Sequence, residues 1–201
     1  MKKSKVIILG AGNALDDIVE ILELRQISDF EIYDDQKNKT ERHKVSGTFE
    51  QGIKKHKGSA KFVFCFGTAK TTKLREEIYN QYAFSKDDLI NLIHPNAYVS
   101  KTATLGSGVI VKANATIMPN AKLENNIIIS QLVSVSHHVR VGSHSILAPS
   151  SSCSGGSVIK NCCFLGTNCS INENVTIEKN SIVGIGATVW KDLDENSVKL
   201  R

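Results

Sequence analysis

The chain has 201 residues, which suits one or two domains and allows a substantial buried core. Its net charge is +5 without a dense stripe of Lys or Arg, and aromatic residues make up only 6% of the chain, so we expect no nucleic acid among its partners. No stretch approaches the roughly 20 consecutive apolar residues of a membrane span, so we expect no membrane partner either.

The first part of the chain alternates patterns typical of strands and helices. Lys5–Leu9, Phe30–Tyr33 and Phe62–Phe66 have the composition of strands. An amphipathic helical pattern follows the first of them, and a further helix is predicted near Thr71–Tyr82. Because such alternation favours a parallel sheet, we predict an α/β domain with a small Rossmann-like sheet over residues 1–92.

Each predicted strand of this domain ends in residues that suit ligand binding. The ends are Gly10–Asn13, Asp34-Asp35 and Gly67–Ala69, and parallel sheets bind ligands where such carboxyl ends converge. Glycine would let a phosphate approach the backbone near a helix N-terminus, and an acidic residue could accept hydrogen bonds from a ribose or a base. The glycine pattern is incomplete, so a purely structural turn is the alternative.

The second part of the chain repeats every six residues. Seventeen hexapeptides run from Ile93 to Asp194, and sixteen of the seventeen begin with Ile, Val or Leu. A period of six fits neither a helix nor a half-buried strand alone, but it fits a short strand and a turn with one inward aliphatic side chain per unit. It predicts a parallel β-helix over residues 93–201, whose stacked coils bury a continuous inner column.

The cysteines show no metal-binding spacing. Cys153, Cys163 and Cys169 fall at inward positions of the repeat, where a thiol behaves as a small hydrophobic group. Reduced, buried thiols are typical of a cytoplasmic protein, which is the location that we expect.

The repeat Val135–Arg140 offers the clearest chemistry of the coil. It places His137 and His138 at turn positions, where both rings would face outward, and an 18-residue coil would stack Gly155 beside His137 and leave open space over the imidazole. Imidazole has an ordinary pKa of about 6.5 and can act as a general base at neutral pH. The alternative is a pair of solvated turn residues. Zinc would need at least three ligands, and His144 could join the pair only across a subunit boundary, so we expect no metal.

These features together resemble the bacterial sugar acyltransferases of the sialic-acid O-acetyltransferase-like branch, which includes the N-acetyltransferases of nucleotide-linked bacillosamine- and perosamine-type sugars. The resemblance covers essentially the whole chain and rests on the Gly-Ala-Gly turn, on Ile32–Asp35, on Ile93–Ala97 and on the hexapeptides around His137. Its closest local match is Ser136–Gly156, followed by Asn161–Gly166.

The resemblance implies a left-handed β-helix and a homotrimer with active sites between neighbouring subunits. It implies that acetyl-CoA lies along the coil of an adjacent subunit, that His137 is the catalytic base, and that the Gly155 backbone N–H faces the thioester carbonyl. Three residues match positions that contact the pantetheine arm of CoA, largely through the main chain: Ile146, Thr167 and Ile185. Seven residues match the nucleotide-sugar pocket: Gly10, Gly12, Asn13, Asp34, Asp35, Gly67 and Thr68.

The activity implied by the resemblance is direct acetyl transfer to a nucleotide-linked 4-amino-4,6-dideoxy sugar, as in cell-surface polysaccharide biosynthesis. Two departures from the family bear on it. His138 stands where the family usually has Glu or Asp, so it could accept a hydrogen bond in the catalytic pair but supplies no negative charge. The Gly-Val-Pro-Ala segment that often closes over CoA does not follow the last hexapeptide.

Two alternatives to this activity stay open on the sequence. One is an O-acetyltransferase acting on sialic acid or a similar sugar, for which an incomplete glycine turn is less surprising. The other is a non-catalytic trimer that binds sugar nucleotides and has lost the acidic partner of its base.

Overall fold

The computed structural model describes residues 5–200. The division into domains 1–92 and 93–201 stays a prediction, and residues 1–4 and 201 lie outside the described range. The predicted fold class is confirmed: a small α/β region with a parallel sheet precedes a parallel β-solenoid, a geometry consistent with a left-handed β-helix.

The N-terminal region has three strands and three helices. They are β1 (Val6–Leu9), α1 (Leu15–Leu24), β2 (Phe30–Tyr33), α2 (Phe49–His56), β3 (Lys61–Phe64) and α3 (Thr72–Gln81). The sheet is parallel in the order β2-β1-β3, so the fully buried β1 lies at its centre. The Gly-rich turn after β1 therefore lies between the ends of the other two strands.

Helix α2 was not predicted, although its N-terminal signal is present in the sequence. The Thr48 side chain accepts a hydrogen bond from the Gln51 backbone N–H, and the Gln51 side chain accepts one from the Thr48 backbone N–H. This reciprocal pair is a capping box, which satisfies two backbone donors that the first helical turn leaves unpaired.

The solenoid has three faces, each made of two-residue parallel strands. The first face contains Leu92–Ile93, Ile110–Val111, Ile128–Ile129, Ile146–Leu147, Phe164–Leu165, Ile182–Val183 and Val198–Lys199. The second face contains Tyr98–Val99, Thr116–Ile117, Ser134–Val135, Ser152–Cys153, Ser170–Ile171 and Thr188–Val189. The third face contains Thr104–Leu105, Lys122–Leu123, Arg140–Val141, Val158–Ile159 and Thr176–Ile177.

The register of these strands follows the hexapeptide period. Val135, for example, pairs with Ile117 one coil before it and with Cys153 one coil after it, an offset of 18 residues in each direction. The inner column is buried from Val109 to Val189 and forms one continuous hydrophobic core. Three strands thus complete each coil, and turns of fixed length lie at the three edges between the faces.

The fourth residue of most hexapeptides has a left-handed backbone conformation. Asn occupies many of these positions, among them Asn114 with φ 59° and Asn120 with φ 62°. Asn tolerates this region better than most residues, which explains its frequency in the turns. The histidines His138 and His144 occupy two such positions.

The N-terminal region packs on the first face of the solenoid. The outward residues Ile110, Ile128 and Ile146 of that face are buried in the same apolar cluster as β1 and α1. A Cβ atom on Gly67 would lie 2.8 Å from Ile128 Cδ1 and 3.0 Å from Ile146 Cδ1, so this close approach requires glycine. Over residues 5–200, none of the helices combines the length and the apolar character needed to cross a bilayer.

Candidate functional site

His137 and His138 lie at the edge between the second and third faces, directly after the strand Ser134–Val135. Both side chains are exposed, as the repeat predicts for turn residues. Their Nδ1 atoms are 3.2 Å apart, so one nitrogen can donate a hydrogen bond to the other. The two rings meet edge to face, with centroids 5.3 Å apart.

His138 also contacts the coil that precedes it. Its backbone φ of 63° places it in the left-handed turn conformation. Its Nε2 atom lies 3.2 Å from the Nδ2 atom of Asn120, the residue 18 positions earlier. The two imidazoles and this amide therefore form a chain of three side chains along the edge.

Gly155 lies on the same edge, one coil above His137. A Cβ atom at this position would lie 2.5 Å from Cε1 and 2.9 Å from Nε2 of His137. The expectation that Gly155 leaves open space over the imidazole is corrected: the ring itself occupies the space that a side chain would take. Glycine here is what allows the imidazole to lie against the coil.

The Gly155 backbone N–H is free to donate. Its carbonyl accepts from the Asn174 N–H, and the neighbouring Gly156 N–H donates to the carbonyl of His137, but no residue in the described range 5–200 accepts from the Gly155 N–H. Within the described residues this N–H has no protein acceptor and is available to a ligand, as an oxyanion-binding group must be.

A cavity of about 220 Å³ opens at this edge. Its lining residues are His137, His138, Gly155, Gly156, Glu173 and Asn174. Glu173 is not among the site residues predicted from the sequence, although it lies 36 residues, or two coils, after His137 and this spacing points to it. Glu173 brings a carboxylate to the same cavity as the two imidazoles.

A second and larger cleft, of about 780 Å³, lies at the start of α1. Its lining residues are Gly12, Asn13, Leu15, Asp16, Lys37, Lys39, Thr40, Glu41 and Arg42. Gly12 and Asn13 of the predicted nucleotide-sugar pocket line it. The predicted pocket does not include Lys37, Lys39 or Arg42, although these residues form a basic run after the second strand. These three cations outnumber the two carboxylates of the lining, Asp16 and Glu41, and the cleft lies at a helix N-terminus, an arrangement that suits an anionic ligand.

The two aspartates at the end of β2 build the loop beside this cleft. Asp34 accepts hydrogen bonds from the Ala11 N–H at 2.7 Å and from the N–H groups of Gln36 and Lys37 at 2.8 Å. Asp35 accepts from the Phe49 N–H at 2.8 Å, at the first turn of α2. Neither aspartate lines the cleft, so their contacts are with the protein's own backbone.

The remaining predicted pocket residues lie around the ends of β1 and β3. Gly10 has a φ of +113°, and a Cβ atom there would lie 3.0 Å from the Phe66 backbone nitrogen, so this glycine is needed for close strand packing. Gly67 packs on the solenoid, and the exposed Thr68 closes a local turn in which its N–H donates to Thr71 Oγ1 at 2.8 Å. None of these three residues lines the 780 Å³ cleft.

The residues matched to the pantetheine arm separate into two environments. Thr167 and Ile185 are exposed at successive turns of one edge, 18 residues apart, where the Gly186 N–H donates to the carbonyl of Thr167. Ile146 is only 3% exposed, because the N-terminal region covers it. Thr167 and Ile185 are therefore accessible from solvent, whereas the Ile146 side chain is not.

The other candidate groups are buried away from this chemistry. His144 is 5% exposed, and burial, with a smaller effect of Arg75, lowers its pKa to about 4. Cys153 is buried in the inner column, and burial raises the pKa of its thiol far above the usual range, which makes it a poor nucleophile. Within the described part of the chain, no three His, Cys, Asp or Glu side chains are grouped to hold a metal ion.

Comparison with known proteins gives a family match over the solenoid. Residues 90–198 match the family model described as the GMPPB C-terminal domain. A curated relative, the GDP-perosamine N-acetyltransferase of Escherichia coli O157:H7, is 26% identical over 114 residues, which are 57% of this chain and 51% of the relative. The match thus spans about half the length of that protein.

Solved structures match over almost the whole chain. PerB from Caulobacter crescentus, solved in complex with CoA and GDP-perosamine, superposes with a TM-score of 0.84 at 27% identity and covers 96% of this chain and 92% of its own. The acetyltransferase domain of PglB from Neisseria gonorrhoeae, solved with acetyl coenzyme A, has a TM-score of 0.86 at 22% identity, over 98% of this chain and 95% of its own. The latter likeness shows the fold.

Proposed function

The chain belongs to the GMPPB C-terminal domain family, and from that premise we propose that it transfers the acetyl group of acetyl-CoA to the amino group of a nucleotide-linked 4-amino-4,6-dideoxy sugar. One observation carries the proposal. PerB, solved with both CoA and GDP-perosamine, resembles this chain over the α/β region and the solenoid together. The whole architecture, and not the repeats alone, is shared with an enzyme of this substrate class.

In the proposed reaction His137 is the general base. It removes a proton from the acceptor amine while the amine nitrogen attacks the thioester carbonyl, a contribution typically worth about 10²–10⁴ in rate. The free Gly155 N–H, beside the imidazole, would donate to the developing oxyanion, and the loss of such a donor costs roughly 3–4 kcal/mol in comparable sites. The transfer is direct, since all five cysteine thiols are buried.

The 780 Å³ cleft would hold the nucleotide of the acceptor. Its cations Lys39 and Arg42 and the turn Gly12-Asn13 at the start of α1 suit a diphosphate. This proposal revises the pocket that the sequence suggested: Gly12 and Asn13 contact the ligand, whereas Asp34 and Asp35 hold the surrounding loop in place.

We further propose a homotrimer with active sites between subunits. The N-terminal region covers the first face of the solenoid, whereas His137 lies at the edge between the second and third faces, opposite that region. An acceptor held in the cleft of one chain would therefore meet the imidazole of another. Exposed apolar side chains on the uncovered side, Tyr98, Met118 and Leu132, would contribute to the contact between subunits.

Cytoplasmic location and a role in cell-surface polysaccharide biosynthesis belong to the same proposal. The five cysteines are all free and buried, which suits a reducing compartment. The reaction would act on a nucleotide sugar before the sugar is transferred to a polymer.

An assay with a panel of acceptors tests the proposed function. The protein is incubated with acetyl-CoA and with GDP-, UDP- and dTDP-linked 4-amino-4,6-dideoxy sugars, or with sialic acid, and the products are analysed by mass spectrometry. We expect an N-acetylated nucleotide sugar and free CoA. An acetyl ester on sialic acid would support the O-acetyltransferase instead, and the absence of any product despite nucleotide-sugar binding would support the non-catalytic trimer.

A further inference from the structure

Asn120, His138 and His137 form a continuous hydrogen-bonded chain along one edge of the solenoid. Asn120 Nδ2 is 3.2 Å from His138 Nε2, and His138 Nδ1 is 3.2 Å from His137 Nδ1. In the described range 5–200, neither imidazole is paired with a carboxylate. The amide of Asn120 is therefore the last group of this hydrogen-bonded series.

The orientation of this amide decides which nitrogen of His137 carries the proton. If the Asn120 NH₂ donates to His138 Nε2, the His138 proton is on Nδ1, and it is donated to His137 Nδ1. His137 is then protonated on Nε2 and cannot accept a proton there. If the amide is turned so that its oxygen accepts from His138 Nε2–H, His138 Nδ1 is unprotonated and accepts from His137 Nδ1–H. His137 Nε2 is then free to accept a proton.

We propose that Asn120 is a positioning residue that acts through His138 and holds His137 in the tautomer with a free Nε2 atom. This inference rests on the proposed acetyl transfer. A half-turn of the Asn120 amide about the Cβ–Cγ bond places its oxygen opposite His138 Nε2, because the oxygen and nitrogen of an amide occupy equivalent positions. We call the resulting hydrogen-bonded series Asn120–His138–His137 the relay. The amide thus takes the orienting part that a carboxylate has in comparable histidine sites.

The backbone places the Asn120 side chain for this task. Its φ of 62° fits the left-handed turn, and its N–H donates to Thr102 Oγ1 at 3.2 Å, one coil below. Asn120 and His138 are 18 residues apart, at the same position of successive coils. The regular spacing of the coils therefore brings the amide directly beneath the imidazole.

The relay balances the protons of the proposed reaction. The amine nitrogen bonds to the thioester carbonyl carbon, and the C–S bond breaks as the amide product forms. The proton from the amine passes to His137 Nε2 and then to the sulfur of CoA. While His137 is charged, its Nδ1–H donates to His138, and His138 Nε2–H donates to Asn120 Oδ1. A neutral amide polarises this relay less than a carboxylate would.

Three variants test the role of the amide. Asn120→Gly removes it and keeps the left-handed backbone, Asn120→Asp keeps an acceptor and adds a charge, and Asn114→Gly is a matched control at an exposed turn of another edge with φ 59°. We expect kcat to fall about tenfold or more in Asn120→Gly, with the KM for acetyl-CoA nearly unchanged, because a catalytic histidine in the wrong tautomer cannot act as the base.

The pH profile separates the relay from a merely structural role. Asn120→Asp should retain kcat. Because its carboxylate stabilises the protonated form of the imidazole pair, His137 should become protonated at higher pH, and the acid limb of kcat/KM should move to higher pH. The titratable groups that line the cavity of His137 are His138 and Glu173, and both are present in every variant. Equal kcat and an equal profile in Asn120→Gly and in the wild type would overturn the proposal.

An NMR measurement keeps the proposal testable whatever the substrate is. The protein is labelled with ¹⁵N-histidine and measured at a pH at which the rings are neutral. The ¹⁵N chemical shifts of the His137 ring nitrogens then report its tautomer. We expect the population with the proton on Nδ1 to fall in Asn120→Gly and to stay constant in Asn114→Gly. A constant tautomer in both variants refutes the relay. A wild type that acetylates no acceptor refutes the proposed function but leaves this result readable.

Discussion

Arg75 Nη2 donates a hydrogen bond of 2.8 Å to the backbone carbonyl of Asn126, across the junction between α3 and the solenoid. The guanidinium is fully buried and also donates to the carbonyls of Phe64 and Phe66. Within the described part of the chain it forms no ion pair, so carbonyl groups and aromatic rings surround its charge. Burial lowers its pKa to about 9.

Arg75→Met tests this junction. The substitution removes the buried charge but leaves the buried carbonyls of Phe64 and Asn126 without their donor. Each unsatisfied buried group costs about 1–3 kcal/mol. We expect the free energy of unfolding in urea to fall by at least about 2 kcal/mol. Lys73→Met, on the exposed side of the same helix, is the control and should change little. Equal urea midpoints for the wild type, Arg75→Met and Lys73→Met would contradict a stabilising role for Arg75.

His144 makes the stability of the same junction sensitive to acid. Its Nδ1 atom contacts the amide of Asn126 at 3.1 Å, its ring meets that of Tyr79, and Arg75 is the nearby charge. Its folded-state pKa of about 4 is lower than the ordinary value of 6.5, so the unfolded chain binds the extra proton first as the pH falls. The stability linked to neutral His144 is therefore fully present above about pH 6.5 and is lost as the pH falls towards 4.

His144→Asn should flatten this dependence, because Asn suits the same left-handed turn and does not titrate. Urea midpoints measured at pH 7 and at pH 5 would give the difference. His138→Asn, at an equivalent turn position with an exposed ring, is the control and should keep the wild-type dependence. The interpretation is wrong if His144→Asn loses as much stability between the two pH values as the wild type does.

Gly155→Ala should abolish most of the proposed activity without unfolding the coil. The new methyl group would lie 2.5 Å from His137 Cε1, so the exposed imidazole must move away from the edge. We expect kcat to fall by about 10²-fold or more, the size of a lost general base, while the melting temperature and the oligomeric mass stay close to those of the wild type. Full turnover in this variant would show that the position of the imidazole does not matter.

The basic loop at the N-terminal cleft should determine the affinity for the nucleotide. The double variant Lys39→Ala, Arg42→Ala removes two of the cations that line the cleft. We expect a higher KM for the nucleotide sugar, a smaller dependence of that KM on salt, and an unchanged KM for acetyl-CoA. Lys44→Ala is the matched control, since Lys44 is exposed in the same loop and does not line the cleft. An equal rise in the control would contradict the assignment.

The period of the repeat made the solenoid and the edge of His137 predictable. An inward residue every sixth position and a coil of 18 residues place His137 under Gly155 without any knowledge of side-chain contacts. The same arithmetic would have shown Glu173 above and Asn120 below. What the period cannot supply is the direction of each ring, which depends on the left-handed turn at His138 and on the contact between the two imidazoles.

Around the N-terminal region the sequence was less informative, since packing between distant segments decides the outcome. An arginine on an amphipathic helix is usually solvated, yet Arg75 is fully buried because three carbonyls happen to converge on it. Asp34 follows a strand, as a ribose-binding residue would, but its carboxylate accepts a hydrogen bond from the Ala11 N–H in the tight turn after β1. Ile146 matches a ligand-contacting position, yet the N-terminal region covers it.

The rate of acetyl transfer by His137→Ala tests the central claim most directly. The variant and the wild type are compared with acetyl-CoA and the preferred 4-amino sugar nucleotide, and the acetylated product is quantified by mass spectrometry. Because the imidazole is exposed at a turn, the variant should remain folded and keep the oligomeric mass of the wild type. We predict that the wild type forms the N-acetylated sugar nucleotide and that the variant is slower by about 10²-fold or more. A folded variant that acetylates the sugar at nearly the wild-type rate would contradict the account.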